Sequence, residues 1–253
     1  MSEGMGAGAR RALAIVAKYP TPGVAKTRLA ARIGPRAAAE LYRAFLGDLA
    51  ARFTRAAARD GYRLVWARAP GPGDLREVVG AGACVPLQRG EDFATRLYHV
   101  CEDLRAAGYG DIVVSSSDSP HLPARWVRQA FAAIGDTRIA LGPAEDGGYY
   151  LIGLRATSEV PDLFRGIAMS TERVYAETVA RAGALGLDVT RLPATFDVDE
   201  VADLERLATA LARPGATAAA SPRTLAALRR LGLAARHPYG MVGRAGPAMV
   251  PPR

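Results

Sequence analysis

The chain has 253 residues, 49% of them hydrophobic and 23% charged, which is material for one large α/β domain or two small ones around a substantial core. A net charge of +8 would suit a nucleic-acid partner, but the arginines are spread along the chain and no helix-turn-helix, RNA-recognition or zinc-finger signature accompanies them. No apolar run approaches the roughly 18 residues of a membrane span, and RRALAIVA is too short for a secretory signal, so a cytoplasmic protein without membrane insertion is expected.

In chain order, residues 1–10 read as a flexible start and RALAIVA (11–17) as a first strand. Pro35, suited to an opening helical turn after Gly34, begins a long helix through RAAAELYRAFLGDLAARFTRAAAR. Strands follow at 62–67 and 84–88, a helix starts near Asp92, and a strand runs over 111–117. A helix begins near Pro123, then come strands at 137–142 and 149–154. The last of these follows its predecessor after so short a loop that an antiparallel insertion is expected. STERVYAETVARAGALG reads as a helix with Ser170 as N-cap, 188–193 as a strand, and DEVADLERLATALA as a helix capped by Asp199. This alternation predicts a mostly parallel sheet with helices on both faces. The domain spans 11–211, a C-terminal helical extension 212–235, and residues 236–253, rich in Gly and Pro, read as a disordered tail. The two cysteines, Cys84 and Cys101, lack metal or redox spacing and read as buried free thiols.

Chemistry is sought in the loops beyond the strand ends. The protein contains only two lysines, Lys18 and Lys26, both in KYPTPGVAKTRL after the first strand. Pro and Gly residues, Gly23 among them, hold the backbone irregular, and Lys18, Lys26 and Arg28 form a phosphate grip unlike a Walker loop; the plain alternative is a solvated basic loop. In VVSSSDSPHLP, Asp118 emerges at a strand end, where a carboxylate either holds a divalent metal on phosphate oxygens or caps a turn. His121 is read as surface and given no role. In LGPAEDGGYYLIGL the adjacent Glu145 and Asp146 repel unless a cation or substrate relieves them, and Gly147 and Gly148 allow close approach of a ligand; a tight acidic turn would use the same sequence. In TFDVDEVADL, Asp197 is the candidate for a second metal contact.

These motifs, in this order over about residues 11–211, resemble bacterial glycosyltransferase-like proteins associated with radical-SAM and selenodomain genes, some of the arsenosugar-biosynthesis type. They are more distantly similar to phospholactate guanylyltransferase and to molybdenum-cofactor guanylyltransferase. The resemblance implies the nucleotide-diphospho-sugar transferase (GT-A) fold. It places Lys18, Gly23, Lys26 and Arg28 at the nucleotide phosphates and Asp118 and Asp197 on Mg²⁺ or Mn²⁺. Glu145 and Asp146 become the catalytic carboxylates beside the acceptor, one of them a base, with Gly147 and Gly148 at the substrate. The usual DxD reads Ser116-Ser117-Asp118 here, one carboxylate short, and DVDEVADL replaces the more usual DVDTPEDL. The implied enzyme is a metal-dependent transferase with a nucleotide donor and a small-molecule acceptor. Glycosyl transfer from a nucleotide-sugar is the first expectation, nucleotidyl transfer with release of pyrophosphate the alternative, and a non-catalytic nucleotide-binding protein the third.

Overall fold

The computed structural model describes residues 10–212 and 221–233. Strand β1 (Arg11–Ala17) is apolar along its whole interior because both faces of the sheet are covered. It is followed by α1 (Thr27–Ile33), α2 (Pro35–Asp60), β2 (Arg63–Arg68), α3 (Arg76–Val79), α4 (Phe93–Ala106) and β3 (Asp111–Ser115). Then come α5 (Ala124–Ala133), β4 (Arg138–Pro143), β5 (Tyr149–Arg155), α6 (Val174–Ala184), β6 (Asp188–Arg191), α7 (Val201–Ala212) and α8 (Pro222–Arg230). The six strands lie in the order β2-β1-β3-β5-β4-β6. β1 pairs parallel with β2 and β3, and β4 with β6, while β5 runs antiparallel between β3 and β4. The antiparallel insertion read from the sequence is therefore present. Among the described residues no helix is long and apolar enough to cross a membrane.

Successive residues of β1 feed two cores. Leu13 and Ile15 pack with Phe45, Leu49 and Phe53 of α2, whereas Ala12 and Ala14 belong with Leu97 and Val100 of α4. α2 starts with Pro35 and stops at Gly61, whose φ of 71° suits a left-handed helix terminus. The C-terminal helix α8 packs on α2 and α7. Its N-terminus is held by a remote carboxylate: the fully buried Asp48 of α2 accepts from the N–H of Arg223 (3.1 Å) and Thr224 (2.7 Å).

Several expectations are corrected. Residues 84–88 form only isolated bridges beside β2, at Cys84 and Leu87, because Pro86 between them has no N–H to extend a ladder. The strand expected to reach residue 117 ends at Ser115. Helices α1 and α3 were not foreseen, and Arg28 lies on α1 rather than in the loop. α6 begins at Val174, so Ser170 does not cap it. Asp199 sends its carboxylate to Lys26, while Asp203 of α7 accepts from the N–H of Asp199 and Glu200. Cys101 is buried and Cys84 half-buried, both free. The flexible ends expected at 1–10 and 236–253 fall outside the described residues, Arg10 excepted.

Candidate active site

The chain leaves β1 for β2 on one side and returns for β3 on the other, with α2 and α4 on opposite faces. The C-terminal ends of β1 and β3 are thus a topological switch point, where open α/β sheets bind ligands. A cavity of about 500 Å³ opens there. Its walls are the loop after β1, the loop after β3, the first turns of α4, the β4–β5 loop and the segment before α7.

The loop after β1 turns on Pro22 and Gly23: the N–H of Val24 donates to the carbonyl of Thr21 (3.1 Å), and Gly23 takes the positive φ, 78°, that a Pro-Gly turn of this kind requires. This aims Lys18, Lys26 and Arg28 at the cavity, which Gly23 itself does not line. Lys18 and Arg28 are exposed, and no side-chain partner pairs with either among the described residues. Lys26 is different. Its ammonium donates to Asp118 Oδ1 (2.5 Å), to Asp199 Oδ1 (2.9 Å) and to the carbonyl of Val198 (2.8 Å), so all three N–H groups have protein acceptors. Burial disfavours its charge, but Asp118 and Asp199 outweigh that and hold the ammonium protonated.

Beyond β3, Ser116 and Ser117 leave the sheet. Ser117 Oγ lies 2.7 Å from the hydroxyl of Tyr42, which also accepts the N–H of Lys18 (3.3 Å), tying the two loops together. Burial, with Asp118 nearby, pushes the Tyr42 hydroxyl up to about 12, so it stays neutral. Asp118 reaches the cavity half-exposed. Asp197 lines the same cavity, half-buried, and loss of solvation first, then the Asp118 charge, push its carboxyl well above the usual carboxylate range. Ser119 Oγ lies 2.6 Å from Asp197 Oδ1 and 3.0 Å from the carbonyl of Phe196. A neutral Asp197 can donate to that hydroxyl, leaving its single proton for the carbonyl.

The adjacent acids of the β4–β5 loop have separate partners. Asp146 lines the cavity and accepts the N–H of Gly148 (3.0 Å). Glu145 is outside it, paired at 2.7 Å with Arg206 of α7, which stacks over Phe196. Gly148 lines the cavity, whereas Gly147 packs away from it against the main chain of Glu172. Sequence reasoning missed Tyr42, Ser117 and Ser119, whose hydroxyls gave no motif. It also placed His121 at the surface. His121 is buried, stacked on Phe196 at 4.3 Å and bonded to Thr195 Oγ1 at 2.8 Å.

The donor chemistry suits a hard divalent cation: Asp118 and Asp197 crowd one another, and Asp146 adds to the negative charge felt by Asp197. Among the described residues no three His, Cys, Asp or Glu side chains form a cage by themselves. An ion held by few carboxylates and completed by substrate phosphates is the usual arrangement for Mg²⁺.

A parallel sheet with an antiparallel insertion, and a cationic and carboxylate-lined cavity at its switch point, define the class: this is the fold of nucleotide-using transferases. Residues 39–171 match DUF2064, described as an uncharacterized protein conserved in bacteria, and the chain belongs to that family. It is 34% identical to a solved protein from Desulfovibrio desulfuricans G20, provisionally described as a nucleotide-diphospho-sugar transferase, with a TM-score of 0.75 over 87% of this chain and 97% of that one. It is 28% identical to the phosphoenolpyruvate guanylyltransferase of Sphaerobacter thermophilus over 73% of this chain and 86% of that protein. A cytidylyltransferase from Leptospira borgpetersenii, 12% identical, shares the fold with a TM-score of 0.56 over 92% of this chain and all of that one.

Proposed function

We propose that this transferase is a metal-dependent nucleotidyltransferase: it joins a nucleoside triphosphate to a small phosphorylated acceptor and releases pyrophosphate. One observation carries the reading. Lys18 and Arg28 face the same cavity as Asp118 without carboxylate partners among the described residues, which suits a ligand carrying the charge of a triphosphate. An ionised phosphate or carboxylate oxygen of the acceptor attacks the α-phosphorus. The bond from the α-phosphorus to the β-bridging oxygen breaks, and its electron pair leaves on pyrophosphate. Such an attacker needs no base, which agrees with Glu145 lying outside the cavity on Arg206. Lys18 and Arg28 hold the outer phosphates in line. Asp118 and Asp197 would hold Mg²⁺ or Mn²⁺, which supplies Lewis-acid neutralisation of phosphate charge. The guanylyltransferase relative supports GTP as the first nucleotide to try and phosphoenolpyruvate as the first acceptor.

Glycosyl transfer is the second reading, favoured by Asp146 in the cavity and by the 34% identical relative. It also accords with the narrower resemblance to the radical-SAM-associated glycosyltransferase-like proteins. A thermal-shift panel of nucleoside triphosphates and nucleotide-sugars, with and without Mg²⁺, separates the two, because a ligand stabilises the state it binds. The first reading expects the largest shift with a triphosphate plus metal, lost in Asp118→Asn. A shift confined to nucleotide-sugars contradicts it.

A further inference from the structure

The Lys26 ammonium is almost fully enclosed at the cavity wall. Its side chain is 4% exposed, while the carboxylates it touches, Asp118 and Asp199, are 38% and 41% exposed. Around it stand two carboxylate oxygens and one carbonyl oxygen, the donor types a hard divalent cation selects. The backbone is strained to bring it there. Lys26 has φ 53° and ψ 50°, and among the described residues it is the only non-glycine with positive φ.

We infer that Lys26 is the resident cation of this site: in the free protein its ammonium occupies Asp118 in place of a divalent ion, so the ion enters with the nucleotide phosphates and not alone. The inference rests on the nucleotide-transferase reading above. A bare divalent ion approaching Asp118 meets a positive charge already bound to the same carboxylate, and that charge is buried and little screened. An ion complexed to a triphosphate arrives with net negative charge. Lys18, Lys26 and Arg28 then attract what they would otherwise repel. Two carboxylates against one ammonium leave the site short of positive charge, so it accepts the metal once that repulsion is offset.

The test is a titration of Mn²⁺ into wild type and Lys26→Met without nucleotide, with free Mn²⁺ followed by electron paramagnetic resonance. Lys26→Met is expected to bind Mn²⁺ at least about tenfold more tightly than wild type, and Lys26→Met/Asp118→Asn to lose the gain. Equal or weaker binding by a folded Lys26→Met overturns the inference. If that variant does not fold, wild type decides. Mn²⁺ should bind at least about tenfold more tightly when an α,β-methylene analogue of GTP is present, and equal affinity with and without it overturns the inference. Wild type that binds no nucleotide contradicts the nucleotide reading instead, while the variant comparison still judges Lys26.

Discussion

The guanidinium of Arg52, buried on α2, donates to the main-chain carbonyl of Pro120 at 2.7 Å. It also donates to the carbonyl of Leu122 (2.9 Å) and to Ser221 Oγ (2.6 Å). One side chain thus fastens the loop that carries Asp118 to the start of α8. Replacing it with Leu leaves the Leu122 carbonyl without its donor, at about 1–3 kcal/mol, while the Pro120 carbonyl keeps the hydroxyl of Ser221 at 3.1 Å. Arg52→Leu is expected to lose about 1–3 kcal/mol in urea unfolding with an unchanged m-value. A loss below about 1 kcal/mol contradicts this role.

His121 makes stability depend on acid. Burial, with Arg52 and Arg206 nearby, lowers its pKa to about 4 in the folded protein, against an ordinary 6.5. Between those values the unfolded chain binds the proton that the folded one refuses. The contribution of His121 to stability therefore falls as pH drops from about 6.5 and levels off below about 4, by roughly 3 kcal/mol, and the raised carboxyl of Asp197 acts in the opposite direction. Relative to wild type, His121→Gln is expected to gain stability progressively as pH falls from about 6.5 to 4. An unchanged slope in the variant contradicts the assignment.

The strands and the cavity loops were legible because their signals are local. The apolar run of 11–17, the two lysines of the next loop and the strand-end Asp118 each sit within a few residues. What sequence could not give are partnerships across long separations. Asp48 and Arg52 look like the polar face of a surface helix until α8 covers them, 169 or more residues later. Glu145 looked like half of a catalytic pair because nothing near it announces Arg206, 61 residues on. The carbonyl of Val198 and the carboxylate of Asp199, which Lys26 also engages, lie at the other end of the domain and leave no mark near it in the sequence.

Gly147 is required by its neighbour. It has φ 88°, and a Cβ there would lie 2.0 Å from the carbonyl oxygen of Glu172, with the Gly147 carbonyl already bonded to the N–H of Tyr175 (2.9 Å). Both the left-handed backbone and main-chain overlap oppose any side chain. Gly147→Ala is expected to cost more than about 2 kcal/mol, or to displace the segment before α6. Wild-type stability in chemical denaturation contradicts this.

Glu145 and Asp146 are expected to separate on mutation. The Glu145–Arg206 pair is exposed, so Glu145→Gln should change stability by less than about 1 kcal/mol and leave turnover near wild type. Asp146→Asn should raise the metal or acceptor concentration needed for half-maximal rate with kcat little changed. A fall in kcat of about 10²–10⁴-fold on Asp146→Asn, with donor binding retained, would mark Asp146 as a general base and favour glycosyl transfer.

The leaving group distinguishes nucleotidyl from glycosyl transfer, and phosphorus NMR reads it directly. GTP, Mg²⁺ and phosphoenolpyruvate, followed by other phosphorylated acceptors, are incubated with the protein and the products resolved. Pyrophosphate is expected in stoichiometric amount with a new signal for an α-phosphorus joined to the acceptor, both absent with Asp118→Asn. Release of a nucleoside diphosphate from a nucleotide-sugar, with no pyrophosphate from any triphosphate, would contradict nucleotidyl transfer.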